Sequence, residues 1–232
     1  HQYGFTYNTT PLPAYNSRMT DRWGFYNGHD YSSSVANYGP TMYAARYPDA
    51  DYMQAEILTD IDYPTGGRTS FEYEPHTYYR IAKQYPFTVE TCPQDSLAGG
   101  LRIKSITDIT GSTTAEKRTF TYTGTYAGST HSSGVLSGRQ RFYHHGKTTL
   151  YVGAPYYQNV EFTYYSYSEL PFNQLSETDG NHVTYSYVTE THQDGGSTLY
   201  HYSNHEDTFA SDTAPTTILS PDDSNFKEAV KF

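Results

Sequence analysis

An aromatic residue followed two positions later by tyrosine recurs along this chain: Phe5 and Tyr7, Phe71 and Tyr73, Phe120 and Tyr122, Phe162 and Tyr164, Tyr185 and Tyr187, Tyr200 and Tyr202. Successive side chains of an extended strand point to opposite faces, so each pair sets two rings on one face of a sheet. Gly, Pro and β-branched residues interrupt almost every window of about eleven residues that would be needed to establish a helical period. The pattern predicts an all-β fold of twisted antiparallel sheets, built from degenerate β-hairpins. Because 27 of the residues counted as hydrophobic are tyrosine, tyrosine must do much of the packing. Phe71, Tyr73, Phe120, Tyr122, Ile61 and Ile103 are the expected core.

The hairpins can be located. Leu58 to Tyr63 precedes Pro64-Thr65-Gly66-Gly67, and Val183 to Thr191 precedes Asp194-Gly195-Gly196; each alternating run meets a turn signal and then an aromatic strand. In the first, the row Ile57, Thr59, Ile61, Tyr63 shares a face with Thr69, Phe71, Tyr73 only if the loop has an odd number of residues, which Gly66-Gly67-Arg68 would satisfy. Asp60, Asp62, Glu72 and Glu74 then crowd the opposite face, where like charges need compensation. Uneven spacing between the aromatic pairs argues against a strict solenoid. Residues 29–50 and 78–98, rich in turn formers and without a clean period, read as insertions in a β-domain spanning 1–219. A single helical turn is expected near Asp49 to Gln54. Residues 220–232 read as a short C-terminal helix, with Ser220 as N-cap and Pro221 at the first helical position.

Composition narrows the partners. A formal charge of -10 opposes binding to a nucleic-acid backbone. No apolar run approaches the roughly 18 residues of a membrane span, so membrane insertion by this segment is not expected. The lone Cys92 forms no internal disulfide and suggests no thiolate metal cage. The chain opens on His1 without a charged-then-apolar leader and reads as a piece of a longer exported polypeptide.

Three motifs then stand together in order: Trp23-Gly24-Phe25-Tyr26-Asn27-Gly28; Asp60 to Gly67 leading to Phe71-Glu72-Tyr73-Glu74; and Gly99-Gly100-Leu101-Arg102-Ile103-Lys104. Their combination, over roughly residues 1–205, resembles a segment of the large Rhs or YD-repeat-like cell-surface proteins of gut-type Gram-negative bacteria, upstream of the regular repeats. The resemblance implies a noncatalytic structural module, secreted or at the cell surface, whose main partner is the remainder of the same long polypeptide and whose sheet joins a shell-like scaffold. It marks Trp23, Gly24, Tyr26, Asn27, Gly28, Pro64, Gly66, Gly67, Phe71, Tyr73, Gly99, Gly100 and Arg102 as structural motif positions. No enzyme activity, cofactor or metal is implied.

Site chemistry reads faintly. Asp60, Asp62, Glu72 and Glu74 could serve as a general acid and base for sugar hydrolysis, but a charge ladder with Arg102 and Lys104 on a neighbouring strand explains them better. His144 and His145 are adjacent and point to opposite faces of a strand, which forbids shared ligation of one metal in extended geometry; His201, His205 and Glu206 are a looser group. The strand from Val160 to Tyr167 carries rings on both faces. With Tyr156 and Tyr157, its Tyr165 and Tyr167 form a candidate platform for glycans, since tyrosine offers a flat apolar face and a hydroxyl. A carbohydrate-binding module is therefore the alternative to a scaffold.

Overall fold

The computed structural model describes residues 2–30, 45–84, 87–111, 113–140, 142–153, 158–168 and 181–205. The fold is all-β. Where residues 1–219 read as one domain, the chain divides into two compact units, His1–Arg139 with Leu175–Asp207, and Gln140–Gln174 with Thr208–Phe232. The expected helix at 220–232 and the segment 31–44 of the first expected insertion lie outside the described residues. The helical turn expected near Asp49 is a 3-10 turn at Tyr52–Gln54, introduced by Asp49, whose Oδ1 accepts the Asp51 N–H at 3.0 Å.

The first unit is organised by a nine-stranded sheet. Its main path runs through β1 (Gly4–Tyr7), β2 (Leu58–Asp62), β3 (Gly67–Gln84), β4 (Phe87–Thr110), β5 (Thr113–Thr121), β12 (Tyr187–His192) and β13 (Ser197–His201). These neighbours are all antiparallel. Two short strands branch from it: β8 (Gly134–Leu136) lies parallel to β3, and β11 (Val183–Tyr185) pairs with β8. A separate ribbon joins β6 (Thr123–Tyr126) to β7 (Ser129–Ser132).

The first hairpin keeps the parity argued from its rows but closes earlier. Ile61 pairs with Thr69 and Asp62 with Arg68, and the Tyr63 N–H donates to Gly67 O at 2.8 Å. The three-residue loop is thus Pro64-Thr65-Gly66, not Gly66-Gly67-Arg68, because Gly66 takes the left-handed position (φ +93°) that ends such loops. The β12–β13 hairpin repeats the device, with His192 bonded to Gly196 and Gly195 at φ +87°. The alternating run Val183 to Thr191, expected as one strand, breaks at the buried Ser186; β11 pairs with β8 before it and β12 with β5 after it.

Residues 78–98 are not an insertion of irregular turns. The described ones lie in β3 and β4, which pair from Gly67 and Thr110 to Gln84 and Phe87. What hid the strand period is a series of bulges in β4: the register skips Lys104, then sets His76 alone against Ala98, Gly99 and Gly100, then sets Tyr79 against the four residues from Cys92 to Asp95.

The core also differs from expectation. Ile61, Phe71, Tyr73, Ile103, Phe120 and Tyr122 are only half-buried. The buried cluster is Ile81, Cys92, Ala98, Leu136 and Val183, with Trp23, Tyr78 and Tyr185 packed against it. The reason lies in the branch: β8 pairs with β3 at Arg80 and Ile81, in the far half of the long hairpin, whereas Phe71, Tyr73 and Ile103 lie in its near half, Ile61 in β2 and Phe120 in β5. Gly134 permits the branch, since a Cβ there would stand 2.2 Å from Thr77 O.

In the second unit, β9 (Tyr143–Val152) and β10 (Gln158–Tyr167) form one antiparallel ribbon. Phe162 pairs with Thr148 and Tyr164 with Gly146, and the Tyr164 ring lies over that glycine, where a Cβ would meet it at 2.5 Å. Leu150, Phe162 and Tyr164 are exposed.

Candidate functional site

The first and third sequence motifs meet at the glycine bulge of β4, and the second comes near it only at Glu74, which pairs with Arg102. Asp21 organises the loop that carries the first. Its Oδ1 accepts the N–H groups of Trp23 and Phe25, each at 2.9 Å, while the Asp21 N–H donates to Phe25 O at 2.7 Å. Gly24 turns the loop at φ +93°. Asn27, fully buried, anchors it: Nδ2 donates to Ala45 O at 2.8 Å and Tyr47 O at 2.9 Å, and Oδ1 accepts the His29 N–H at 3.1 Å. Tyr26 packs edge-on against Tyr52 at 5.2 Å, and Gly28 (φ +70°) leaves room for that same Tyr52 ring.

The loop docks where β4 has no side chains. A Cβ on Gly99 would stand 2.3 Å from Asp21 Oδ2, and one on Gly100 (φ +82°) would stand 2.9 Å from the Phe25 ring. The Gly100 N–H donates to Met53 Sδ at 3.0 Å, which ties the 3-10 turn to the same bulge. Burial pushes the Asp21 carboxyl up to about 6, against the N–H bonds of Phe25, Trp23 and Gly24 and the charge of Arg46.

Around the bulge stands a polar and aromatic cluster. His182 lies against Trp23 at 5.6 Å and Phe25 at 6.1 Å, and its Nε2 is 2.7 Å from Gly99 O. His76, opposite the bulge, places Nδ1 2.9 Å from the Tyr185 hydroxyl and its ring 5.5 Å from His182. Arg102 lies over the rings of Tyr122 (4.2 Å) and Tyr185 (4.8 Å), while its Nε and Nη2 both reach Glu74 Oε1 at 2.7 Å. Burial pushes the Tyr185 phenol up to about 12, and its hydroxyl shares a hydrogen bond with His76. The arrangement ties loop, long hairpin and β11 together through charge-assisted and aromatic contacts.

The hairpin acids are each matched. Glu74 takes Arg102, Asp62 takes Arg68 at 2.7 Å, Ser105 Oγ donates to Glu72 at 2.9 Å, and Ser70 Oγ donates to Asp60, holding that carboxyl below its usual range. Lys104, expected beside Arg102 in the ladder, is the residue the first bulge skips. Pro64 and Gly66 lie in the first hairpin loop, Gly67 begins β3, and the rings of Phe71 and Tyr73 stand 6.4 Å apart on it.

Of the aromatic platform, Tyr156 and Tyr157 lie outside the described residues; Tyr165 and Tyr167 run in β10 opposite His145 and Tyr143, with their side chains outside the described set. His201 stacks on Tyr187 at 4.7 Å. Among the described residues no three His, Cys, Asp or Glu side chains are grouped to hold a metal, and no helix is long and apolar enough to cross a membrane. The convergence of Asp21, His76 and His182 on the bulge was missed in sequence; the Gly99-Gly100 pair inside a strand was its one local signal. Compared with protein-family models, curated proteins and solved structures, the chain matches none.

Proposed function

We propose that this chain is a noncatalytic structural module of a large exported protein of the Rhs or YD-repeat-like kind, secreted or at the cell surface, which contributes strands to a longer β-sheet scaffold. The observation that carries the reading is the state of the two terminal strands. β1 and β13 end the main path of the sheet among the described residues, and both carry exposed apolar side chains: Phe5 (56% exposed) and Tyr7 (54%) on β1, Leu199 (62%) and Tyr200 (38%) on β13, with Tyr3 and Tyr202 exposed beside them. Proteins that end a sheet in water blunt the edge with charge or proline, and β13 (Ser-Thr-Leu-Tyr-His) carries neither a proline nor a permanent charge. Edges of this kind suit further strands of the same polypeptide. The joint at the glycine bulge fits the same role, because its contacts fix elements to one another.

A second reading, a carbohydrate-binding module, is favoured by the stacked pair Tyr200 and Tyr202 (6.3 Å, 16°). Sedimentation and a glycan array separate the two. The scaffold reading predicts concentration-dependent self-association that Leu199→Lys suppresses, with no selective glycan signal. A monomer that binds one glycan class, and loses it in Tyr200→Ala, Tyr202→Ala or Tyr165→Ala with the fold intact, replaces the scaffold with the binding module.

A further inference from the structure

The joint at the bulge brings together two imidazoles and a guanidinium with little negative charge to spare. His76 comes from β3, His182 from the residue before β11, and their ring centres are 5.5 Å apart. Arg102 enters from β4 over Tyr185 of β11 and Tyr122, the residue after β5. The carboxylates are Glu74, taken by Arg102 at 2.7 Å, and Asp21, whose Oδ1 is committed to the N–H groups of Trp23 and Phe25 and whose Oδ2 is buried beside Gly99 without a hydrogen bond. Trp23 and Phe25 cover His182 with apolar surface. We propose that the His76–His182 pair is an acid-sensitive latch: charging it releases the loop from Asp21 to Asn27, together with the segment from His182 to Tyr185, from the bulge of β4.

The physical reason is that the joint suits neutral rings. His182 can donate one proton to Gly99 O, and His76 can share one with the Tyr185 hydroxyl; a second proton on either ring adds positive charge beside the other imidazole and Arg102. Burial, then His182 and Arg102, holds His76 down to about 4, and burial lowers His182 against the pull of its bond to Gly99. Both groups therefore favour the closed joint above their ordinary value of 6.5, and that support is lost as pH falls through 6.5 toward 4.

Asp21 acts in the opposite sense. Its carboxyl rises from 3.8 to about 6 in the closed joint, so taking up a proton there relieves a buried charge as pH falls through 6. As pH falls, opening therefore charges both imidazoles while Asp21 gives up the proton it holds in the closed joint, so opening rises less steeply than the two histidines alone would make it. Asp21 is the brake.

The test is amide hydrogen exchange on the full chain from pH 7.5 to 4, corrected for intrinsic rates, with a parallel NMR titration of the imidazoles. Expected are a rise of at least about severalfold between pH 7.5 and 4, confined to residues 21–27 and 182–185, with the β2–β3 and β12–β13 hairpins unmoved, its near-abolition in His76→Gln/His182→Gln, and a steeper rise in Asp21→Asn. An equal rise in the double variant, a uniform opening of the sheet, or no rise down to pH 4 overturns the proposal. If the double variant fails to fold, the unsubstituted chain decides: His76 titrating at its ordinary value also overturns it.

Discussion

Gly99→Ala is the sharpest perturbation of the joint. Gly99 has no left-handed backbone to confound the result, unlike Gly100 at φ +82°, so the effect of the substitution is steric. The new Cβ would stand 2.3 Å from Asp21 Oδ2 and 2.9 Å from Phe25 Cδ2. Phe25 is 40% exposed and can swing away, but Asp21 is fully buried. It yields only by weakening its bonds to the Trp23 and Phe25 N–H groups. Overpacking of a tight site costs about 1–3 kcal/mol, and a weakened charged hydrogen bond adds about 1 kcal/mol or more, for a total of about 2–4 kcal/mol. In an Asp21→Ala background the clash is gone, and the cost of Gly99→Ala should fall by about 1–2 kcal/mol. Urea unfolding followed by Trp23 fluorescence reads the joint itself, because Trp23 is the one tryptophan and packs on His182. A neutral Gly99→Ala, or costs that add within about 0.5 kcal/mol, would refute the close approach of loop and bulge.

Other consequences follow from the same contacts. Arg102→Ala removes two cation–π contacts and strands Glu74, so it should cost about 3 kcal/mol in urea unfolding and lower the midpoint clearly more than an exposed-pair control such as Arg68→Ala. Leu136→Ala should cost about 2–5 kcal/mol and exceed Phe71→Ala, because Leu136 is 1% exposed while Phe71 is half-buried. Burial raises the Cys92 thiol, so native protein at pH 8 should react slowly with a thiol reagent and quickly once unfolded in urea.

The strand pattern was legible wherever alternation decided it. The parity of Ile61 with Thr69 follows from a period of two alone, whereas the placing of the loop depended on which glycine turned left-handed. Gly66 and Gly67 look alike in sequence; only the first takes a positive φ. Residues 78–98 escaped because each bulge in β4 resets the alternation, and bulges arise from what docks on the strand rather than from the strand itself. Asp21 and Gly99 are far apart in the chain, so no local pattern links them. The core was misplaced for a related reason: Phe71 and Phe120 are the larger residues, but burial follows where β8 and β11 lie. Cys92, read only as making no disulfide and no metal cage, is part of that buried cluster.

The central claim is that this sheet is a portion of a longer one. Hydrogen exchange at the edge strands, compared between this chain alone and a polypeptide that extends it at both ends, tests this most directly. The account predicts that amides of β1 and β13 not bonded to β2 or β12 exchange freely in isolation and become protected by about two orders of magnitude or more in the longer protein, since interior ladder amides open only with the sheet. Equal, rapid exchange of both edges in the two contexts would contradict it and make the sheet complete in itself.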